Sequence, residues 1–247
     1  MQSSSLGLVL HAIAWRETSL IIEVFTRDHG RLGLVARGAR RPRSALRGLL
    51  QPFQPLDLRW SGKGELRNLI GAEWVGGLPM LSGPSIMPGF YLNELMVKLL
   101  PREDAHPALF DDYLATLGLL GRQPEDTSLT EPVLRRFECN LLREMGYAPR
   151  FDCETASLEP VRAQHRYEVS PLSGIRKLAD HDEGHGFQGQ TLMALAQADG
   201  SIEEAVHALE PPEIAAESKR ILRMLLGHHL GEEDLQSRHV MRELVRI

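Results

Sequence analysis

The sequence predicts an α+β chain in which a small closed β-barrel over residues 1–79 precedes a mainly α-helical domain over residues 80–247. Three observations predict it. Apolar and polar residues alternate with period two in short runs up to about residue 75, beyond Leu78-Pro79 the period becomes helical, and the balance of charge changes sign in the same region. Residues 1–80 hold eleven Lys or Arg against six Asp or Glu, a net of +5, whereas residues 81–247 hold seventeen against twenty-seven, a net of −10. A length of 247 residues allows two domains of this kind.

Five strands are expected. The first runs from about Leu6 to Ala14 and the second from Leu20 to Thr26; Asp28-His29-Gly30 then turns the chain into a third from Arg31 to Arg37, giving a meander. A fourth, Phe53 to Trp60, and a fifth, Glu65 to Val75, are joined as a hairpin by Ser61-Gly62-Lys63-Gly64. Closure into a barrel removes exposed sheet edges, and the five-stranded barrel that binds oligonucleotides is the OB-fold. Side-chain parity puts Leu32, Leu34 and Ala36 on one face of the third strand and Arg31, Gly33, Val35 and Arg37 on the other. Likewise Leu56, Leu58 and Trp60 oppose Asp57 and Arg59, and Arg67 opposes Leu66 and Ile70. The arginines should therefore face outward as one patch.

Beyond the barrel, helices are expected at about 85–100, 105–121, 131–146, 190–198, 202–209, 213–230 and 235–245. Thr130 can cap the third, Pro132 is tolerated in its first turn, and Gly146 ends it. Residues 151–189 form an irregular insert with a short hairpin around His165–Val169 and Ile175–Leu178. Two cysteines, Cys139 and Cys153, are too few for a disulfide framework. With no basic, apolar leader and no membrane-length run, the chain reads as cytoplasmic, and its charge pattern as nucleoid-associated.

The segment Arg31–Arg67 carries nine of the basic residues against Asp57 and Glu65. Cations massed in this way favour polyanions, because each phosphate neutralised releases condensed counterions. The candidate DNA-binding residues are Arg31, Arg37, Arg40, Arg41, Arg43, Arg47, Lys63 and Arg67, with Gly38–Gly48 as a mobile arm tracking a phosphate backbone. Of the aromatics Trp15, Phe25, Phe53, Trp60 and Trp74, the greater part should fill the barrel, so affinity should rest on charge and sequence preference should be weak. Cys139 and Cys153 lack zinc-site spacing, and His181-Asp182-Glu183-Gly184-His185 reads as a polar loop. No P-loop, nucleophile elbow or dinucleotide fingerprint is found, so the residues leave an enzyme unsupported but not excluded; no catalytic residue, metal or cofactor is assigned, and the reading taken is a non-enzyme. The competing readings are a magnesium-dependent nuclease on an OB platform and a scaffold whose basic stretch binds an acidic protein. On the helix from Glu131 to Met145, Val133, Leu134, Phe137 and Leu141 form an apolar stripe. Arg136 and Arg143 share another face, and Arg135 lies nearer Cys139 and Leu142. Apolar surface bordered by arginines suits an acidic peptide with hydrophobic end residues; a helix packed in a bundle, with solvent-facing arginines, explains the same pattern.

Several stretches resemble the RecO family of bacterial recombination mediators. They are Trp15-Arg16-Glu17-Thr18-Ser19-Leu20, Val24-Phe25-Thr26 with Gly30-Arg31, Leu34-Val35-Ala36-Arg37-Gly38-Ala39-Arg40, Gly48-Leu49-Leu50-Gln51-Pro52-Phe53, Tyr91-Leu92-Asn93-Glu94-Leu95 and Leu134-Arg135-Arg136-Phe137-Glu138. The resemblance fades after Gly146-Tyr147. It implies an OB-fold followed by a helical domain, binding to single- and double-stranded DNA, and annealing of complementary strands. It also implies partnership with RecR in helping to load RecA onto DNA coated by single-stranded DNA-binding protein. The acidic C-terminal tail of that protein would dock at Arg135, Arg136 and Leu142. Some relatives carry a four-cysteine zinc site after the position of Gly146-Tyr147; this chain has only Cys153 there, so no zinc is expected and hydrogen bonds and packing should hold the insert.

Overall fold

The computed structural model describes residues 2–122, 127–179, 186–231, 235–237 and 239–240. The chain divides into two compact units, Met1–Glu125 with Asp234–Ile247, and Asp126–Glu233.

In the first unit, β1 (Gln2–Trp15), β2 (Ser19–Thr26), β3 (Gly30–Ala36), β4 (Leu56–Ser61) and β5 (Leu66–Trp74) close a barrel in the order β1-β2-β3-β5-β4. This is the expected OB architecture. β1 is longer than its alternation suggested because one strand serves two neighbours: Gln2–Gly7 pairs with β4, and Gly7–Trp15 pairs with β2. β3 and β5 are the one parallel pair of the barrel. Val9, Ile22, Val24, Leu32, Leu34, Leu56, Leu58 and Trp60 fill the interior, matching the parity read for β3 and β4. Gly30, at the turn into β3, has φ +69, and a Cβ there would run into the backbone of Asp104, so position and conformation both demand glycine.

Two bulges change the faces that simple alternation assigns. Val9 pairs with Val24 and His11 with Glu23, which leaves Leu10 as an extra residue and turns His11, Ile13 and Trp15 outward. On β5, Leu69 pairs with Trp60 and Gly71 with Arg59, with Ile70 extra between them. Leu66 and Ile70 are consequently 45% and 52% exposed, and Arg67 lies on the inward side in register with Leu34. The sequence parity for β5 is thus reversed.

The stretch between β3 and β4 is not the free arm expected from its composition. Successive turns are closed by Arg41 N to Gly38 O (3.1 Å), Ser44 N to Arg41 O (3.0 Å) and Arg47 N to Ser44 O (3.2 Å), leading into a one-turn helix, α1 (Leu46–Leu49). Ala39 and Leu50, 0% and 3% exposed, anchor its two ends in the barrel core. Burying these two apolar side chains fixes the path while the arginines between them stay in water.

A 3₁₀ turn, Gly83–Ser85, leads to α2 (Ile86–Leu99), and α3 (Pro107–Arg122) follows. Both helices pack on the barrel. Asn93 donates Nδ2 to the carbonyl of Leu10 (2.9 Å) and accepts from the Tyr113 hydroxyl, all within the core. Burial pushes the Tyr113 phenol up, so it remains a donor. Phe25 meets Phe110 edge-on at 5.4 Å, and Arg27 grips Asp111 with two bonds of 3.0 and 2.9 Å. Glu94 accepts from the amides of Gln236 and Ser237 (2.9 Å each) and from the Ser237 hydroxyl (2.6 Å), tying the C-terminal segment to α2. Residues 236–237 and 239–240 are helical and Leu235 is not; residues 238 and 241–245 of the helix expected at 235–245 lie outside the described residues, as does the His181–His185 motif.

The second unit contains α4 (Thr130–Glu144), a small sheet of β6 (Arg166–Ser170), β7 (Gly174–Lys177) and β8 (Phe187–Gln188), and the helices α5 (Gly189–Ala196), α6 (Ile202–Ala208) and α7 (Pro212–Leu230). The hairpin expected in the insert is β6–β7, with β8 on the other side of β6. Thr155 Oγ1 accepts from the amide of Ile175 (2.8 Å), and the Tyr167 hydroxyl accepts from that of Arg162 (2.9 Å). Thr130 is the first residue of α4 and Leu129 its N-cap, with no side-chain capping bond. Cys139 and Cys153 are both buried, and among the described residues no three His, Cys, Asp or Glu side chains converge as metal ligands.

Candidate nucleic-acid interface

The two bulges give the outer face of the barrel a composition that core-filling strands would not have. Ile13 is paired with Ile21, Ile21 with Val35 and Val35 with Asn68, so a cross-strand row runs over β1, β2, β3 and β5 on the outside. Adjacent side chains on one face of a sheet touch, which makes the row a continuous apolar strip ending in an amide. At its upper end Trp15, Arg16, Ser19, Val35, Arg37 and Asn68 line a cleft of about 280 Å³. Trp15 is 43% exposed, and the guanidinium carbon of Arg16 sits 6.0 Å from its ring centre. Arg16 reaches that position with φ 52, in the left-handed region where a non-glycine residue is held only by its surroundings.

The arginine-rich segment is tied to the same hairpin tip. The Arg40 amide donates to the carbonyl of Thr18 (2.9 Å), and its guanidinium Nη1 donates to the carbonyls of Arg16 and Glu17 (3.3 Å each). Arg37, Arg40, Arg41, Arg43 and Arg47 are exposed, and so is Lys63 in the β4–β5 loop, where Gly62 (φ 109) and Gly64 (φ 91) supply the turn. Among the described residues none of these six is in an ion pair.

Arg31 and Arg67, expected to belong to this set, are instead engaged within the protein. Arg31 Nη1 binds Glu23 Oε2 at 3.1 Å and its Nε donates to the carbonyl of Leu100 at 2.9 Å, leaving the side chain 14% exposed. Arg102 binds the other oxygen of Glu23. Arg67, turned inward by the bulge, reaches Glu103 at 2.7 Å with its side chain 17% exposed. Charges satisfied in this way hold the segment after α2 against the barrel and present little to a phosphate. Around the cleft Trp15, Arg16 and Asn68 join Arg37, and these three are not in the sequence-derived set of DNA-binding residues.

The expected partner-tail residues sit in the second unit. Arg135, Arg136 and Leu142 are 4%, 7% and 0% exposed, so the arginines of α4 do not face solvent as its amphipathic pattern suggested. Arg135 binds Glu138 at 2.8 Å, with Glu131 at 4.0 Å. Arg143 donates to the carbonyls of Leu195 and Ala196 at 3.1 and 3.0 Å and pairs with Asp199 at 3.2 Å. It therefore caps the end of α5, where unsatisfied carbonyls and the helix dipole favour a cation.

The amino-acid sequence matches two family models, the Recombination protein O N-terminal model over residues 1–78 and the Recombination protein O C-terminal model over residues 85–239. A protein of Aromatoleum aromaticum named DNA repair protein RecO is 50% identical over 239 residues, 96% of this chain and 94% of the relative. Relatives of the same name from Azoarcus sp. and Polynucleobacter asymbioticus are 48% and 45% identical, covering 97% and 98% of this chain and 95% and 96% of their own lengths. The chain belongs to the RecO family.

Proposed function

We propose that this RecO-family chain serves DNA repair and recombination as a non-catalytic mediator, holding DNA on the outer face of its barrel and promoting annealing of complementary strands. One observation carries the reading: six cations are exposed, Arg37, Arg40, Arg41, Arg43 and Arg47 in the segment after β3, which Arg40 bonds to the β1–β2 turn, and Lys63 in the β4–β5 loop. The β1–β2 and β4–β5 loops are among the surfaces through which OB barrels take oligonucleotides. No covalent chemistry is needed. Two strands repel through their phosphates, a dense row of arginines screens that repulsion, and base pairing itself supplies the sequence reading. Because Ala39 and Leu50 pin the segment, little conformational entropy is lost when a backbone is bound.

Six contacts to single-stranded DNA give a slope of log affinity against log salt of about −4. A flat salt response contradicts the reading. Incubation with magnesium should leave the DNA intact; cleavage would favour a nuclease. In the same proposal the chain acts with RecR to help load RecA onto coated DNA. It reaches that DNA through the acidic tail of single-stranded DNA-binding protein, for which Arg135, Arg136 and Leu142 are the residues the family resemblance offers; at 4%, 7% and 0% exposure they can take the tail only where α4 is uncovered. Anisotropy of a labelled tail peptide tests the docking: a folded Arg136→Ala protein should lose the peptide and keep naked DNA. Equal loss of both would contradict separate sites.

A further inference from the structure

We propose that the cleft at the tip of the β1–β2 hairpin is a nucleobase subsite, in which one unpaired base of single-stranded DNA stacks on Trp15. The inference rests on the DNA-binding reading above and adds to it a contact that charge alone does not supply. Trp15 is a large aromatic left 43% exposed at the mouth of a cleft whose other lining residues, Val35 apart, are polar or cationic. Every base offers a π-face, so an exposed indole in a positive setting is a platform that tolerates any sequence. The cleft volume, about 280 Å³, lies near the lower end for small-ligand sites (~300 Å³) and suits one base rather than a duplex.

The neighbours divide the remaining work. Val35 forms an apolar floor, the Asn68 amide can donate to and accept from a base edge, and Arg37 stands where the adjoining phosphate would follow. Arg16 already lies over the indole at 6.0 Å, a cation–π arrangement that a base can share on the open side. The site is preorganised, since Arg40 clasps the carbonyls of Arg16 and Glu17 and thereby couples the phosphate-binding segment to the turn that carries Trp15. A duplex keeps its bases stacked on one another and cannot fill the cleft. The subsite therefore gives this surface a preference for unpaired strands and leaves the bases of the strand splayed and ready to pair.

The test compares three probes on full-length protein: an oligo-dT, an abasic oligomer with the same number of phosphates, and a duplex. Wild type should bind oligo-dT more tightly than the abasic strand. Trp15→Ala should lose about fivefold or more on oligo-dT, the lower end of what one stacked base contributes, with the abasic strand and the duplex unchanged. Trp15→Phe should retain most of the affinity, and thermal melting should show all variants folded. Equal affinity of wild type and Trp15→Ala for oligo-dT, or the same loss on the abasic strand, overturns the subsite while leaving charge-driven binding standing. Absence of wild-type binding to all three probes overturns the DNA-binding reading itself, and the subsite with it.

Discussion

Replacing Arg31 with alanine should weaken the fold and leave DNA affinity almost unchanged, although its position in the basic segment would suggest the reverse. Its guanidinium makes two bonds, to Glu23 at 3.1 Å and to the carbonyl of Leu100 at 2.9 Å, with the side chain 14% exposed. A hydrogen bond involving a charged group contributes roughly 1.5–3 kcal/mol, and the residual exposure argues for the lower end. Arg102 still neutralises Glu23 in the variant, so no buried charge is stranded. The net loss should be about 2–3 kcal/mol. For a chain of this size each kcal/mol lowers Tm by about 2–4 °C, so a fall of about 5–10 °C is expected. Thermal unfolding followed by circular dichroism measures it, and a salt titration of single-strand binding on the same samples should give an unchanged slope. Arg31→Lys keeps the charge but lacks the planar fork that spans both acceptors, so it should recover only part of the stability. An Arg31→Ala protein that melts within about 1 °C of wild type, while its salt slope shrinks by about 0.7, would refute the assignment and return Arg31 to the phosphate-binding set.

Three further outcomes follow from the packing. Gly30→Ala must accommodate a Cβ against the Asp104 backbone at φ +69 and should cost more than about 2 kcal/mol, measurable by urea unfolding; a neutral effect would contradict the close approach. At Glu94, burial pushes the carboxyl up, but the bonds from Ser237 and Gln236 and the charge of Lys98 together outweigh it and hold the group below its ordinary value of 4.5. Stabilisation from a depressed carboxyl is present above the ordinary value and is lost as pH falls through the depressed one. The protection of the Gln236 and Ser237 amides against hydrogen exchange should therefore fall in that acid range, and in Glu94→Gln it should already be low at neutral pH; amides equally protected in variant and wild type at neutral pH would show that Glu94 is no clamp. His229 stacks on Tyr147 at 3.8 Å and is held below 6.5 by burial and then by His228. Its neutral form is the favoured one in the fold, so its contribution should be complete above about pH 6.5 and decline as pH falls through the lowered value. An NMR titration of the ring with a midpoint at or above 6.5 would contradict this.

The barrel strands and the longer helices are legible in the sequence because each has a clear period, whereas α1 and β8 are too short to show one. Leu32, Leu34 and Ala36 announce the inner face of β3, and the helices from Ile86 to Leu230 begin and end within a few residues of their patterned runs. The faces of β1 and β5 were not legible, since a single extra residue, Leu10 or Ile70, reverses everything beyond it and leaves no mark in the alternation. That is why Trp15 is grouped in the sequence with aromatics expected mostly to fill the barrel, why Asn68 is not singled out, and why Arg67 is expected outside. Charge density located the basic segment correctly, yet it could not separate Arg31 and Arg67 from Arg37 and Arg40, because Glu23 and Glu103 approach them only in the folded chain. Likewise the apolar stripe of α4 revealed a packed helix, while the burial of Arg135 and Arg136 depends on what surrounds the helix on its other sides.

The exposed arginines between β3 and β4 are proposed here as the surface on which strands anneal. It is tested most directly by the rate at which the protein anneals complementary strands, compared with a folded variant in which Arg40, Arg41, Arg43 and Arg47 are alanine. Annealing and DNA affinity should fall together in the variant, and the salt slope should shrink from about −4 to about −1. A folded variant that anneals as fast as wild type would contradict it.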